Sequence, residues 1–181
     1  MRYTKTVLLT GGVELLVRSA VASDARALRE TTQRTHAQTD YLLSYPDEQS
    51  ADDEQEARSL VETERSDNEV ELVAVADGKI VGSAGIAAVG SRRKVAHRAR
   101  FGVSILKEYW GMGIGRVLME SCIDCARRAG YAQLELEVVA DNERALSLYR
   151  RAGFEEYGRN PRGYHSTSVG YQELVHMRLE L

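Results

Sequence analysis

Three glycines alternate in Trp110-Gly111-Met112-Gly113-Ile114-Gly115-Arg116, directly after the strand-like run Val103-Ser104-Ile105-Leu106 and before a helical pattern. Glycine lacks a Cβ, so the backbone there can turn tightly and come close to a ligand. The first amides of the following helix have no intrahelical partners and sit at its positive end. Together these features make a cradle for an anion such as a pyrophosphate. The turn is not a Walker loop, which needs Gly-Lys followed by Ser or Thr. Nor is it the dinucleotide fingerprint G-x-G-x-x-G, because the glycines here read G-x-G-x-G. A turn that serves only helix packing is the plainer alternative.

Other reactive residue types carry less. Cys122 and Cys125 are spaced C-x-x-C, which suits redox chemistry or half a zinc site, but no second Cys or His pair follows at ligand spacing. Both fall on the apolar face of a helical pattern, where small apolar residues need no further role. The four histidines, His36, His97, His165 and His176, show no ligand spacing, so no metal is expected. Tyr149, judged by spacing alone, reads as an aromatic packed on the inner face of a short helix.

The elements that would position these residues follow from periodicity. Glu14 to Arg18 reads as a first strand, and Asp24 as the cap of a helix running through Leu28 to about Thr35. A charged helix is expected from about Asp52 to Arg65, and a strand from Glu69 to Ala76. Asp77-Gly78 is a hairpin turn into Ile80–Val89. After a basic turn at 90–94, His97 to Leu106 returns as a strand. Ile114, Val117, Leu118, Cys122 and Cys125 then recur at helical spacing until Gly130. Leu134, Leu136 and Val138 alternate with Glu135 and Glu137, as in a strand. Asp141-Asn142-Glu143 opens a short helix that Gly153 ends, and Phe154 and Val169–Leu181 begin the last two strands. Hairpins with crossover helices give an α/β (α+β) domain with a mixed sheet.

The 181 residues suit one domain, with 1–12 as an N-terminal extension and 13–181 as the domain itself. A net charge of −3 gives no overall basic surface, so no nucleic-acid partner is expected. Arg92, Arg93, Lys94, Arg98 and Arg100 form a local basic patch that reads as a solvated hairpin. Apolar runs fall short of a membrane span and the start lacks a secretory pattern, so a cytoplasmic protein without a membrane partner is expected.

The glycine turn resembles the signature of the GNAT superfamily of N-acetyltransferases, a strand followed by R/Q-x-x-G-x-G/A, with Trp110 in place of Arg or Gln. Asn142-Glu143-Arg144-Ala145-Leu146-Ser147-Leu148-Tyr149-Arg150-Arg151-Ala152-Gly153-Phe154 is similar to the family's N-x-x-A-x-x-x-Y-x-x-x-G-F block. The resemblance extends from Leu15 to Leu181. It implies a GNAT-like sheet flanked by helices and splayed open between its fourth and fifth strands, here His97–Leu106 and Leu134–Val138. Acetyl-CoA is then the co-substrate, with its pantetheine arm in the gap. The implied cofactor contacts are the backbone of Val103, Ser104 and Ile105, the turn Gly111, Met112, Gly113, Ile114, Gly115 and Arg116, and the side chains of Asn142 and Tyr149. The Trp110 departure touches an auxiliary contact more than the amide cradle.

For catalysis the resemblance implies Tyr149 as the acid that protonates the leaving thiolate and the Ile105 amide as oxyanion donor. Many relatives carry a glutamate base on the fourth strand, but the aligned position here is Arg100. His97 shares strand parity with Phe101 and Val103 and has a suitable pKa, so it is the candidate base, beside a water chain or a plain exposed histidine. The acceptor, a primary amine of a small molecule or peptide, is expected between Thr31–Asp52 and Arg159–Val169, with Tyr41, Tyr45, Asp47, Glu48, Tyr164 and His165 as pocket candidates. A homodimer is compatible with such an enzyme. The rival readings are a non-catalytic acyl-CoA sensor of the same fold and a nucleotide-binding protein using the same turn.

Overall fold

The structure is a computed structural model that describes residues 1–48 and 52–181. Eight strands, β1 (Thr4–Leu8), β2 (Glu14–Ser19), β3 (Val70–Ala76), β4 (Lys79–Ala88), β5 (Arg98–Ile105), β6 (Gln133–Val139), β7 (Glu155–Ser166) and β8 (Gly170–Glu180), form one sheet in the order β1-β2-β3-β4-β5-β6-β8-β7. Every neighbouring pair is antiparallel except β5 and β6, which are joined through a crossover helix and run parallel.

Among the described residues four α-helices cover the two faces: α1 (Ala25–Ala37), α2 (Asp53–Arg65), α3 (Ile114–Arg128) and α4 (Glu143–Arg151). The larger core lies on the α3 side. There Ile114, Leu118, Met119 and Cys122 of α3 pack with Leu146 and Tyr149 of α4 over Leu72, Phe101 and Leu134 of the sheet. Each fully buried large aliphatic side chain contributes about 1.5–3 kcal/mol by leaving water. Cys122 and Cys125 are both free and buried in this face. On the opposite face, Leu28 of α1 and Leu60 of α2 meet Val73 of β3 in a smaller cluster.

Three local expectations are corrected. Residues 4–8, within the stretch read as an N-terminal extension, form edge strand β1 against β2. The β-branched pattern Thr4-Lys5-Thr6-Val7 and the turn at Gly11-Gly12, both at positive φ, are a hairpin signal. Asp24 does not cap α1. Its carboxylate instead accepts from Arg18 at 2.6 and 2.8 Å and from the Val21 amide at 2.8 Å, because a charge-assisted pair outweighs a cap. That pairing holds its carboxyl below the usual range, the Arg18 hydrogen bond being the largest cause. Finally, β5 begins at Arg98, and His97 belongs to the preceding turn.

Candidate active site

The sheet opens between β5 and β6. Their register is confined to Arg98–Arg100 against Gln133–Glu135, and the ladder stops at Phe101. The peptide groups freed by this opening can be assigned from parity. The Leu106 amide bonds Val81 O at 3.0 Å and Val89 N bonds Arg98 O at 3.1 Å, so even-numbered residues of β5 face β4. The His97 carbonyl, of odd parity, accepts from Ala132 and Gln133 on the β6 side. Val103 and Ile105 therefore turn their N–H and C=O groups into the gap, as an added strand requires. Ser104 does not: its carbonyl points at β4, where a Cβ on Gly82 would lie 2.7 Å from it. The expected backbone contact at Ser104 is thus corrected to its neighbours.

The same gap leads to the glycine turn. Gly113 is the N-cap residue of α3 at φ 91°, with no side chain capping it. The first helical bond runs from the Val117 amide to Gly113 O, so the amides of Ile114, Gly115 and Arg116 precede the ladder. Gly111 also takes a positive φ of 83°. A cleft of about 1200 Å³ joins this helix mouth to the splayed strands; Gly111, Gly113, Ile114, Gly115 and Arg116 line it, whereas the Met112 side chain packs on the core. A bare helix mouth joined to a narrow strand-edged passage fits a diphosphate followed by an amide-bearing arm.

Two side chains flank this mouth: Trp110, marked in the sequence as a departure at an auxiliary position, and Arg144, given no role there. The Trp110 indole N–H donates to the Ile105 carbonyl at 2.8 Å, fixing the end of β5. The Arg144 guanidinium lies 5.5 Å from the Trp110 ring, and its Nη1 is 3.9 Å from where a Gly111 Cβ would be. It supplies a cation beside the cradle. Only its place two residues after Asn142, on the first turn of α4, hinted at this.

Tyr149 lines the cleft from α4, and its ring meets Phe101 edge-on at 6.2 Å and Phe154 at 5.8 Å. Burial pushes its phenol well above the ordinary tyrosine range, so the proton stays on oxygen until an acceptor arrives. Asn142 is the N-cap of α4, its Oδ1 accepting from the Ala145 amide at 3.2 Å, and it also lines the cleft. His97 is not brought to the site: it is exposed in the turn before β5 and absent from the cleft wall.

On the face opposite α3 the cleft is lined by polar groups. Glu137 of β6 and His176 of β8 are register partners 3.4 Å apart, and Arg98 pairs with Glu135. Arg100, Tyr41 and Tyr164 complete this side. The segment after α1 is fastened over it, because Ser166 donates to Asp40 at 3.0 Å and the Thr167 amide donates to the Tyr45 hydroxyl at 2.8 Å. Of the other pocket candidates, Glu48 accepts from the Tyr45 amide, Asp47 sits beside it in a short 3-10 turn, and His165 stacks on Tyr171. Residues 49–51 of the expected acceptor segment lie outside the described residues.

Comparison with known proteins agrees with this geometry. Residues 31–154 match the Acetyltransferase (GNAT) family. Streptothricin acetyltransferase of Streptomyces lavendulae is 30% identical over 159 residues, 88% of this chain and 78% of that protein. Ribosomal protein bS18-alanine N-acetyltransferase of Escherichia coli K12 is 36% identical over 81 residues, 45% of this chain and 54% of its own length. Among solved structures, an acetyltransferase of the GNAT family from Streptococcus pneumoniae superposes with a TM-score of 0.88 at 30% identity, covering 92% of this chain and 99% of that one. The fold is shared as well by yncA of Salmonella typhimurium, solved with its cofactor acetyl-CoA, at a TM-score of 0.81 and 21% identity over 92% and 94% of the two chains.

Proposed function

The chain belongs to the acetyltransferase (GNAT) family and is an acetyl-CoA-dependent N-acetyltransferase; from that premise we propose that its acceptor is a primary amine carried by a small cationic molecule. The observation that supports this most is the continuity of the cleft, from the bare mouth of α3 through the splayed strands to a polar chamber edged by Glu135, Glu137 and Tyr164. Arg98 offsets Glu135 on that wall, so Glu137, which among the described residues faces only His176, is the carboxylate left to attract a cation. The relative aligned over 88% of this chain is named for a small-molecule acceptor, streptothricin. The ribosomal alanine relative, aligned over 45%, favours a peptide amine as the second reading.

When bound, acetyl-CoA supplies an activated thioester carbonyl. In this reading Ile114, Gly115 and Arg116 hold the diphosphate with their amides, assisted by the Arg144 guanidinium. The Val103 peptide pairs with the arm, and the Ile105 amide donates to the oxygen on which charge develops. Tyr149, kept neutral by burial, gives its proton to sulfur. Asn142 holds the start of α4 and so fixes where Tyr149 points. Much of the acceleration then comes from holding two reactants in one cleft. A panel of primary amines, assayed for free CoA thiol, tests the reading. Turnover with cationic small amines and not with neutral ones supports it, and turnover confined to peptide N-termini replaces it with the second.

A further inference from the structure

A second cavity, of about 610 Å³, lies between α1, α2 and the sheet, on the face opposite α3. It meets the cofactor cleft along β5, where Arg100, Phe101, Gly102, Val103 and Ser104 line both. One row of register partners crosses its floor: Glu71 on β3, Gly85 on β4 and Gly102 on β5. Neither glycine raises a side chain. A methyl on Gly85 would overlap the Glu71 Oε2, so the carboxyl lies across that strand, while a methyl on Gly102 would meet nothing within 4 Å. The carboxyl therefore ends about one strand spacing (~4.8 Å) from the backbone of β5, with open space between.

The surroundings of Glu71 lack a partner for its charge. Ser83 donates a hydrogen bond to it, but among the described residues no Lys or Arg pairs with it. The charged and titratable groups facing the cavity are Arg29 and His36 of α1, Glu56 of α2, Glu69 just before β3 and Arg100 of β5. Arg29 is paired with Asp53, and His36 Nδ1 is 2.7 Å from the Ser44 carbonyl. Glu56 and Glu69 add negative charge. Burial raises the Glu71 carboxyl to about 7, with Ser83 opposing and Glu56 reinforcing the shift. Nothing in the sequence marked it, since one glutamate in Val70-Glu71-Leu72-Val73 reads as ordinary strand alternation.

We propose that this cavity receives the head of the acceptor, a primary ammonium, and that Glu71 binds it and takes its proton. The assignment rests on the acetyltransferase reading and adds the base that Arg100 and His97 do not provide. Glu71 removes one proton from the ammonium, and the freed nitrogen pair forms the C–N bond as the C–S pair leaves with sulfur. The phenol of Tyr149 protonates sulfur and is restored by a second N–H proton. The products are the amide, a free thiol and a protonated Glu71, which releases its proton to solvent.

Two experiments test this. Carboxyl-detected NMR of the whole chain follows Glu71 from pH 4 to 9 with and without methylammonium chloride. A midpoint near 7 that falls by a unit or more with the probe supports the proposal; an ordinary glutamate midpoint, or one indifferent to the probe, overturns it. In steady-state assays with the best amine of the panel, Glu71→Gln should lower kcat/KM about 10²-fold or more and abolish the rise of rate through pH 7, with acetyl-CoA affinity unchanged. Gly85→Ala, which keeps the carboxyl but displaces it, should lose rate in the same direction. An unaltered pH profile in Glu71→Gln sinks the assignment while leaving the acetyltransferase reading intact. Absence of thiol release from wild-type protein with every amine sinks that reading instead, and the NMR titration then still decides on Glu71.

Discussion

Replacing Glu71 with glutamine should change how stability depends on pH, and the size of the change follows from the site. The carboxyl moves from 4.5 in the unfolded chain to about 7 in the fold, chiefly because protein surrounds it. The folded state thus holds this proton more tightly than the unfolded one. Stability linked to the group is complete below pH 4.5 and is lost as pH rises through 7. At about 1.36 kcal/mol per pH unit, the displacement corresponds to about 3 kcal/mol in a dry site. Water in the adjoining cavity screens the charge, so roughly 1–2 kcal/mol is expected. Glutamine keeps the shape and cannot ionise. Urea unfolding of both proteins at pH 5 and pH 8 measures the difference. The variant should gain about 1–2 kcal/mol on wild type between the two pH values, or a Tm gain of some 2–8 °C for a chain of this size. Parallel curves at both pH values would mean that Glu71 is ionised freely in the fold, and the reasoning about its burial would be refuted.

Other substitutions probe the remaining parts. Tyr149→Phe preserves the ring contacts with Phe101 and Phe154 and removes only the hydroxyl; kcat should fall about 10²-fold in the thiol-release assay, with acetyl-CoA affinity by calorimetry unchanged. Gly113→Ala places a Cβ at φ 91°; the strain of about 1–2 kcal/mol should appear as a Tm lower by some 2–8 °C. His97→Ala alters an exposed turn residue; kcat/KM should stay within about twofold and stability within about 0.5 kcal/mol. Leu118→Ala empties a fully buried position on α3 and should cost about 2–5 kcal/mol in urea unfolding.

The glycine-turn end of the cleft was legible in the chain because it is local. Alternating glycines between a strand and an amphipathic helix, and Asn142 seven residues before Tyr149, lie within short windows whose geometry follows from backbone rules. The polar end was legible only at Tyr41 and Tyr164, which line the cleft, because its charged groups meet only through the sheet. Glu71 lies across Gly85 of β4 and faces the bare Gly102 of β5 only through the sheet register, and Glu137 meets His176 only through the β6–β8 register. His97 misled because parity counts only inside a strand, and the strand begins one residue later. Ser104 was grouped with Val103 and Ile105 because the chain does not say which peptide groups face β4. Asp24 had the right type and position for a cap, but Arg18, six residues earlier, competes for its carboxylate. Strand β1 was missed because five residues with alternating exposure give a weak signal without the partner that pairs with them.

The central claim, that unpaired amides at the mouth of α3 hold the diphosphate of CoA, is tested most directly by amide-resolved NMR during titration with acetyl-CoA. The largest shifts are expected at Gly113, Ile114, Gly115 and Arg116, with a second set at Val103 and Ile105. Shifts concentrated elsewhere in the molecule, with the α3 mouth unmoved at saturation, would contradict it.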